Sequence, residues 1–232
     1  MSNGQNAKFL GDPKGYLQTM STANKFNLGG NVAMEVNLDE PHAKILMNLR
    51  PLDGGLFSST KRVEAEYGIS PKISDGDSII VGAWVPYHVE GDVASGAVSL
   101  GKVPIATRPG PTDPKFVFTG AMNGCSMVVA RNEAGQLFAV HYPNSTGFEK
   151  GFPLLEAAKL EHVKSINYEG AEGYGEDRNE LEQLPKVVWS NAFCCLAFQE
   201  GEWNILGQSQ LVTPNGAVFE TRINPAKGLI TA

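Results

Sequence analysis

Cys125 and His141 are the residues of this chain whose types and spacing could support nucleophilic chemistry. They flank the sequence Asn-Glu-Ala-Gly at 132–135, which is typical of a hairpin turn ending on glycine. A hairpin centred on Glu133 would place the two residues nearly opposite each other, where paired Cα atoms lie ~4.5–5.5 Å apart. The spacing therefore predicts a thiol within hydrogen-bonding reach of an imidazole, the arrangement that activates a cysteine nucleophile.

The turn before Cys125 provides candidate substrate-binding residues, namely Met122, Asn123 and Gly124. Glycine at such a turn lets a substrate approach the backbone closely, so we expect this turn to line the substrate position. A cysteine directly after the turn can keep its backbone N–H free. A free N–H is suited to hold the oxyanion of an acyl-transfer reaction.

Thr119 is the candidate third member of the site. It ends the preceding predicted strand, six residues before Cys125, and the chain must reverse across 120–124. Its hydroxyl can then accept a hydrogen bond from the imidazole N–H and fix the tautomer of His141. The residues alone leave two interpretations of Cys125 open: a nucleophile of unspecified acyl chemistry, or a buried structural cysteine.

The elements that must position these residues are predicted mainly as strands, because apolar side chains alternate along short segments bounded by turn residues. Strands are predicted at 31–38, 43–49, 78–85, 94–105, 115–119, 125–131, 136–142, 186–199, 202–212 and 217–223. Helices are predicted at 58–67 and 153–164. The pattern indicates an α+β fold, a β-sandwich core of mixed or antiparallel sheets with peripheral helices and long loops.

The domain organisation follows from local composition. Residues 1–25 are polar and predicted to be a loosely held N-terminal segment, while 26–232 form a single catalytic domain. Residues 169–183 hold six acidic side chains and one arginine, and we expect a solvated, mobile loop there.

Composition excludes several classes of function. The net charge is −6 with no basic stripe, so a nucleic-acid partner is disfavoured. No apolar run approaches the ~20 residues that span a bilayer, and the N-terminus lacks the apolar core of a Sec signal. The three cysteines show no zinc-binding spacing, and we expect Cys194 and Cys195 to pack in the core. We therefore predict no metal, no cofactor and no membrane partner.

The segment from Thr119 to His141 resembles the active-site region of the Burkholderia lethal factor type of glutamine deamidase. The matching features are Thr119, the turn Met-Asn-Gly-Cys ending at Cys125, and His141 sixteen residues later. The segment is also similar to the catalytic domain of cytotoxic necrotizing factor around its Ser-Gly-Cys and its histidine, and it shares the residue order of the chemotaxis-receptor glutamine deamidase. Met122 and Asn123 stand where the lethal-factor type has Leu and Ser.

The resemblance implies a β-sandwich fold and a toxin that converts one glutamine of a host protein to glutamate. It implies that Cys125 is the nucleophile, that His141 is the base and that Thr119 orients His141. The chain length suits the single-domain lethal-factor type, whose target is a translation-initiation helicase. A Rho-family GTPase is the other target class. We expect a monomer that is released from a bacterium and acts in the host cytosol.

Other functions remain open alongside deamidation. A cysteine peptidase, an amidase or a transglutaminase-like acyltransferase would use the same Cys–His pair. A strand-rich binding module would keep Cys125 as a structural residue.

Overall fold

The computed structural model describes residues 4–24, 41–52, 62–68, 76, 78–87, 89–92, 97–143, 152–168, 173–175, 187, 189–215, 218–224 and 227–232. Within these residues the helices are α1 (Gln5–Gly11), α2 (Pro13–Thr19) and α3 (Pro153–Ala157). The strands are β1 (Ser21–Asn24), β2 (His42–Pro51), β3 (Arg62–Gly68), β4 (Ile80–Val85), β5 (Val89–Asp92), β6 (Ala97–Leu100), β7 (Lys102–Ile105), β8 (Phe116–Thr119), β9 (Ser126–Asn132), β10 (Leu137–Tyr142), β11 (Leu160–Ile166), β12 (Trp189–Gln199), β13 (Glu202–Asn215), β14 (Val218–Ile223) and β15 (Leu229–Thr231).

In the described residues these strands form two main sheets and a separate ribbon. The larger sheet has the order β1-β3-β2-β4-β8-β12-β13-β14, with β15 also paired to β13. It is mixed, because β1 runs parallel to β3 and β4 runs parallel to β8. The smaller sheet has the order β11-β9-β10-β7 and is antiparallel, and β5 pairs with β6. The predicted α+β sandwich of mixed and antiparallel sheets is confirmed.

Two adjacent cysteines show how the larger sheet divides the core. Successive side chains of a strand point to opposite faces. Cys194 therefore packs in the layer between the sheets, with Val117 of β8 and Met127 of β9. Cys195 packs on the outer face with Phe9 of α1 and Leu17 of α2. On the outside of the smaller sheet, apolar residues of β9 and β10 pack against α3. Both cysteines are fully buried.

The N-terminal segment is more ordered than its polar composition predicts. Residues 5–24 form α1, α2 and β1, and Phe9 and Leu17 are fully buried against the larger sheet. Polar side chains bind backbone here: the Gln208 amide donates to Met20 O over 2.8 Å and its carbonyl accepts from Thr22 N over 2.8 Å. Over residues 4–24 the prediction of a loose segment is corrected, because buried amides can serve as hydrogen-bonding partners rather than as solvated surface. Residues 1–3 and 25 lie outside the described residues. The division at 25/26 stays a prediction.

Both predicted helices are wrong over much of their length. Residues 62–67 belong to β3, where Val63, Ala65 and Tyr67 are buried in alternation with the more exposed Glu64 and Glu66. That period of two is the signal of a strand. Residues 58–61, the start of the first predicted helix, lie outside the described residues.

The second predicted helix, at 153–164, stops at Ala157. Lys159 has a φ of 56°, in the left-handed region that ends a helix, and β11 starts at Leu160. β11 then pairs with β9, with a register shift between His162 and Lys164. Tertiary pairing thus overrides the local helical pattern.

The other predicted strands agree with the structure to within a few residues, apart from two. The strand predicted at 94–105 is divided at Gly101 into β6 and β7, which join different sheets. The strand predicted at 31–38 lies outside the described residues. No helix in the described ranges is both long and apolar enough to cross a membrane.

Candidate active site

Thr119 and His141 meet at one end of the layer between the sheets. Thr119 is the last residue of β8 in the larger sheet, and His141 lies on β10 in the smaller sheet. Each shares its face with an apolar residue of the inter-sheet layer two positions earlier, Val117 and Ala139. Thr119 Oγ1 lies 2.6 Å from His141 Nδ1, so this hydrogen bond joins the two sheets.

The direction of this hydrogen bond is fixed by a neighbour. The Thr119 hydroxyl donates to the Val85 carbonyl over 2.8 Å, which uses its only proton. Its oxygen must therefore accept from His141, and Nδ1 carries the imidazole proton. The neutral ring then keeps a lone pair on Nε2, the atom that can act as a base.

His141 is held neutral by its surroundings. The side chain is 2 % exposed, and burial lowers its pKa from 6.5 to about 4. Its Nε2 atom is buried without a hydrogen-bond partner among the described residues. Buried ring nitrogens are nearly always partnered, so this atom stands out as available for chemistry.

Tyr87 covers the other side of the imidazole. The two ring centroids lie 5.2 Å apart with the rings at 72°, an edge-to-face contact. Tyr87 itself is 59 % exposed and forms an isolated backbone bridge with His141. An exposed aromatic side chain therefore marks the solvent side of His141.

Cys125 lies on the same face of the smaller sheet as His141, but the predicted register is corrected. His141 pairs with Met127, so Cys125 is diagonal to it rather than directly opposite. The turn explains the offset, because Asn132 N donates to Gln136 O and Gly135, with a φ of 81°, adds a residue to the loop. Diagonal neighbours lie ~7–8 Å apart, within reach of a long or aromatic side chain.

The thiol of Cys125 sits at the boundary between core and solvent. The residue is 8 % exposed and packs within the inter-sheet cluster. Its Sγ donates to the Asn123 carbonyl over 3.8 Å, within the turn that precedes β9. The sulfur and the imidazole thus share one face of the sheet, and the thiol hydrogen points back along its own turn.

The backbone N–H of Cys125 is engaged, which corrects the expectation that it is free for an oxyanion. It donates to the Tyr174 hydroxyl oxygen over 3.2 Å, and that hydroxyl donates to the Cys125 carbonyl over 2.9 Å. Sequence reasoning missed Tyr174 because it lies in the acidic stretch at 169–183. The available signal was an aromatic residue between two glycines, Gly173 and Gly175, in an otherwise polar segment.

The acidic stretch is also corrected over three residues. Residues 173–175 are buried, and Tyr174 is fully buried in the inter-sheet cluster, rather than solvated. The rest of 169–183 lies outside the described residues.

The three predicted substrate-binding residues have different environments. Met122 is fully buried and exchanges two backbone hydrogen bonds with Ala192 of β12, so the structure places it in the core rather than at a substrate surface. Asn123 is exposed beside Cys125. Gly124 has a φ of 76°, a conformation that favours glycine. Of the three, Asn123 and Gly124 are therefore the ones that a substrate can contact.

Within the described residues, no group of three or more His, Cys, Asp or Glu side chains is arranged to hold a metal ion. The chemistry available at this site is that of a thiol, a neutral imidazole whose Nε2 has no hydrogen-bond partner in the described part of the chain, and a threonine that fixes the tautomer.

Comparison with known proteins finds a weak likeness among solved structures. No protein-family profile and no curated protein matches the sequence. Among solved structures, the C-terminal domain of CNFy from Yersinia pseudotuberculosis matches with a TM-score of 0.32 and 15 % identity. The match covers 62 % of this chain and 62 % of that chain, so the chain spans less than two thirds of that domain. A likeness at this TM-score carries no conclusion about activity.

Proposed function

We propose that this chain is a protein-glutamine deamidase of the bacterial toxin type, with Cys125 as nucleophile, His141 as base and Thr119 as the residue that orients His141. The observation that carries the proposal is His141 Nε2, a buried lone pair without a described partner, on a ring whose tautomer is set by Thr119. A buried base of this kind is typical of a site that moves a proton.

In the proposed first step, His141 Nε2 removes the thiol proton while Cys125 Sγ attacks the side-chain carboxamide carbon of a glutamine. The tetrahedral intermediate collapses when the imidazolium returns that proton to the departing nitrogen, which leaves as ammonia. A thioester remains on Cys125. Water deprotonated by His141 then attacks the thioester, and glutamate and the free thiol are released.

The resting state in this proposal is a neutral pair rather than a preformed ion pair. Burial keeps the pKa of His141 near 4, so the ring is unprotonated at neutral pH and ready to act as a base. The thiol hydrogen bond to Asn123 O is long, at 3.8 Å. In this proposal, rotation about the Cα–Cβ bond of Cys125 breaks that hydrogen bond and brings the sulfur nearer to His141 on the face of the sheet that both residues share.

The proposed substrate is a host protein that approaches from the solvent side, where Tyr87 is exposed against His141 and Asn123 is exposed beside Cys125. The resemblance around Thr119, Cys125 and His141 favours a regulatory target, either a translation-initiation helicase or a Rho-family GTPase. Conversion of an amide to a carboxylate removes a donor and adds a charge, which is enough to inactivate or lock such a target. No cofactor enters the reaction.

The test is peptide mass spectrometry of host-cell lysate incubated with the wild-type chain, with Cys125→Ala and with Cys194→Ala. We expect one glutamine to become glutamate with the wild type and with Cys194→Ala, and no change with Cys125→Ala. Cys194 is the matched control, because it belongs to the same buried cluster but lies in the middle of β12. The proposal fails if Cys125→Ala retains the conversion.

The same experiment separates the alternative functions. Peptide-bond cleavage that depends on Cys125 would indicate a peptidase, and incorporation of an added primary amine would indicate a transglutaminase-like enzyme. Absence of any change, together with a Cys125 that iodoacetamide does not alkylate, would indicate a binding module with a structural cysteine.

A further inference from the structure

We infer that Tyr174 is a positioning residue for Cys125, because its phenol binds the backbone of that residue on both sides. The inference rests on the proposed function for its catalytic meaning, although the contact itself does not. The hydroxyl donates to Cys125 O over 2.9 Å and accepts from Cys125 N over 3.2 Å. One side chain thereby restrains the peptide groups before and after the nucleophile.

The location of Cys125 explains why such a restraint matters. The regular pairing of β9 ends at Ser126 with Tyr142 on one side and at Met127 with Ile166 on the other. Cys125 lies just beyond both ends, after a turn containing the left-handed Gly124. Tyr174 continues the support of the backbone where the two neighbouring strands stop providing it.

Tyr174 is itself held firmly. The side chain of Tyr174 is fully buried. Its backbone N–H donates to Asn167 O over 2.9 Å, and its backbone carbonyl accepts from Ser209 Oγ over 2.6 Å. The Lys227 ammonium donates to the carbonyls of Gly173 and Gly175 on either side of it. A residue whose backbone is held by Asn167 just after β11, by Ser209 of β13 and by the segment before β15 can transmit the rigidity of the sandwich to the nucleophile.

The glycine after Tyr174 indicates a shaped seat for this segment. A Cβ atom on Gly175 would lie 2.5 Å from the Tyr168 ring, so a larger residue there would have to displace that ring. Tyr168 in turn contacts Tyr174 edge-to-face, with centroids 5.3 Å apart. Its hydroxyl pairs with Ser190 Oγ, away from Cys125. Tyr168 is therefore a matched control, a neighbouring tyrosine whose phenol does not bind the nucleophile.

The experiment measures alkylation of Cys125 by iodoacetamide at pH 7 in the full chain, resolved from Cys194 and Cys195 by peptide mass spectrometry. Wild type, Tyr174→Phe and Tyr168→Phe are each compared with and without His141→Ala. In the wild type and in Tyr168→Phe, we expect loss of His141 to slow alkylation about 10-fold. In Tyr174→Phe we expect a change of less than about twofold, because a mispositioned thiol no longer couples to the imidazole.

This double-mutant comparison distinguishes a positioning role of Tyr174 from a purely structural one. A purely structural Tyr174 would leave the His141 dependence of alkylation the same in Tyr174→Phe and Tyr168→Phe, and that result would overturn the inference. Circular dichroism checks the fold of each variant. If Tyr174→Phe does not fold, Lys227→Met removes the ammonium that holds the Gly173 and Gly175 carbonyls, and an unchanged His141 dependence there overturns the inference as well.

Failure of the proposed function gives a different result. If the wild type deamidates nothing while the alkylation coupling depends on Tyr174, the deamidase proposal falls and the positioning role stands. If deamidation occurs and Tyr174→Phe matches Tyr168→Phe in both alkylation and turnover, the positioning role falls alone. If the role is correct, turnover falls about 10- to 100-fold in Tyr174→Phe, as small misplacements of reacting groups do.

Discussion

Cys125 and Cys194 pack in the same layer between the two sheets, but they occupy different positions in it. Cys194 lies in the middle of β12, fully buried, and burial raises its pKa, with Cys195 and Cys125 adding to the effect. Cys125 lies just before β9, is 8 % exposed, and belongs to the face that carries His141. Position along the layer, at its centre or at its rim, therefore separates an inert thiol from a candidate nucleophile within one cluster.

Polar side chains are also distributed unevenly in the layer between the sheets. The inter-sheet cluster consists mainly of aliphatic and sulfur side chains, with Trp203 among them, whereas its rim holds Thr119, His141 and the phenol of Tyr174. Hydrogen bonds there have defined directions, from Thr119 to Val85 and from His141 to Thr119. The apolar centre is rigidly packed, and this packing keeps the polar atoms at the rim in fixed positions.

The largest expected effect comes from removing one thiol or the other. Cys125→Ala should lower deamidation of lysate protein by at least about 1,000-fold, because no other group provides the covalent step. Cys194→Ala should leave the rate within about twofold while lowering the melting temperature, since it removes buried sulfur from a packed core. Rates and thermal melts are measured on the same preparations. Equal loss of activity in both variants would remove the distinction between rim and centre.

Thr119→Val should produce the next largest effect. Valine keeps the volume but removes the oxygen that accepts from His141 Nδ1, so the ring can adopt the other tautomer. We expect turnover to fall about 100-fold, with a loss of stability of about 1–3 kcal/mol from the buried donor. Thr119→Ser, which keeps the hydroxyl, should retain most of the rate. A serine variant as slow as the valine variant would mean that packing rather than the hydroxyl is what matters.

Stability should depend on pH through His141. Its folded pKa of about 4 lies below the ordinary 6.5, so the unfolded chain binds a proton that the folded chain does not. The stabilisation is present above pH 6.5 and is lost as pH falls from 6.5 to 4, by about 3 kcal/mol in total. Urea unfolding at several pH values measures it.

His162 provides a control for the pH dependence that we assign to His141. Burial also lowers the pKa of His162, on the edge strand β11, but that residue is only partly buried. His141→Gln should therefore flatten the acid side of the stability curve much more than His162→Gln does. If His162→Gln flattened it as much, the assignment of a buried neutral imidazole to the rim would be wrong.

The sequence predicted the most apolar strands to within a few residues, because their side chains are alternately or continuously apolar, as in β4 and β8. It missed β1, β3, β5, β11 and β15, and it predicted helix over β3 and most of β11. It also placed Cys125 and His141 on one hairpin, since local pairing in a hairpin needs no long-range information, whereas Thr119 reaches His141 from β8 of the larger sheet. The sequence did not predict the exact register, because Gly135 adds a residue to the turn and places Cys125 diagonal to His141.

Long-range packing accounts for what the sequence could not predict. Tyr174 reaches Cys125 from 49 residues away. The N-terminal helices dock on the larger sheet through amides such as Gln208, which lies 186 residues from Thr22. Neither contact has a local pattern, and both involve residues in segments that read as polar. Composition predicted solvated chain in each place, where burial of satisfied hydrogen bonds prevails.

The smallest expected effect tests the solvent side of the rim. Tyr87 is largely exposed and lies edge-on against His141, so its ring should form one wall of the path to the base. Tyr87→Ala should raise KM about two- to fivefold with little change in kcat, because a wall contacts ground state and transition state alike. Tyr87→Phe should behave as the wild type. Ile79→Ala serves as control, since Ile79 is similarly exposed at the other end of β4. A fall in kcat with KM unchanged would instead mean that Tyr87 holds the imidazole in place. Tyr87 would then belong, with Thr119, to the residues that position His141.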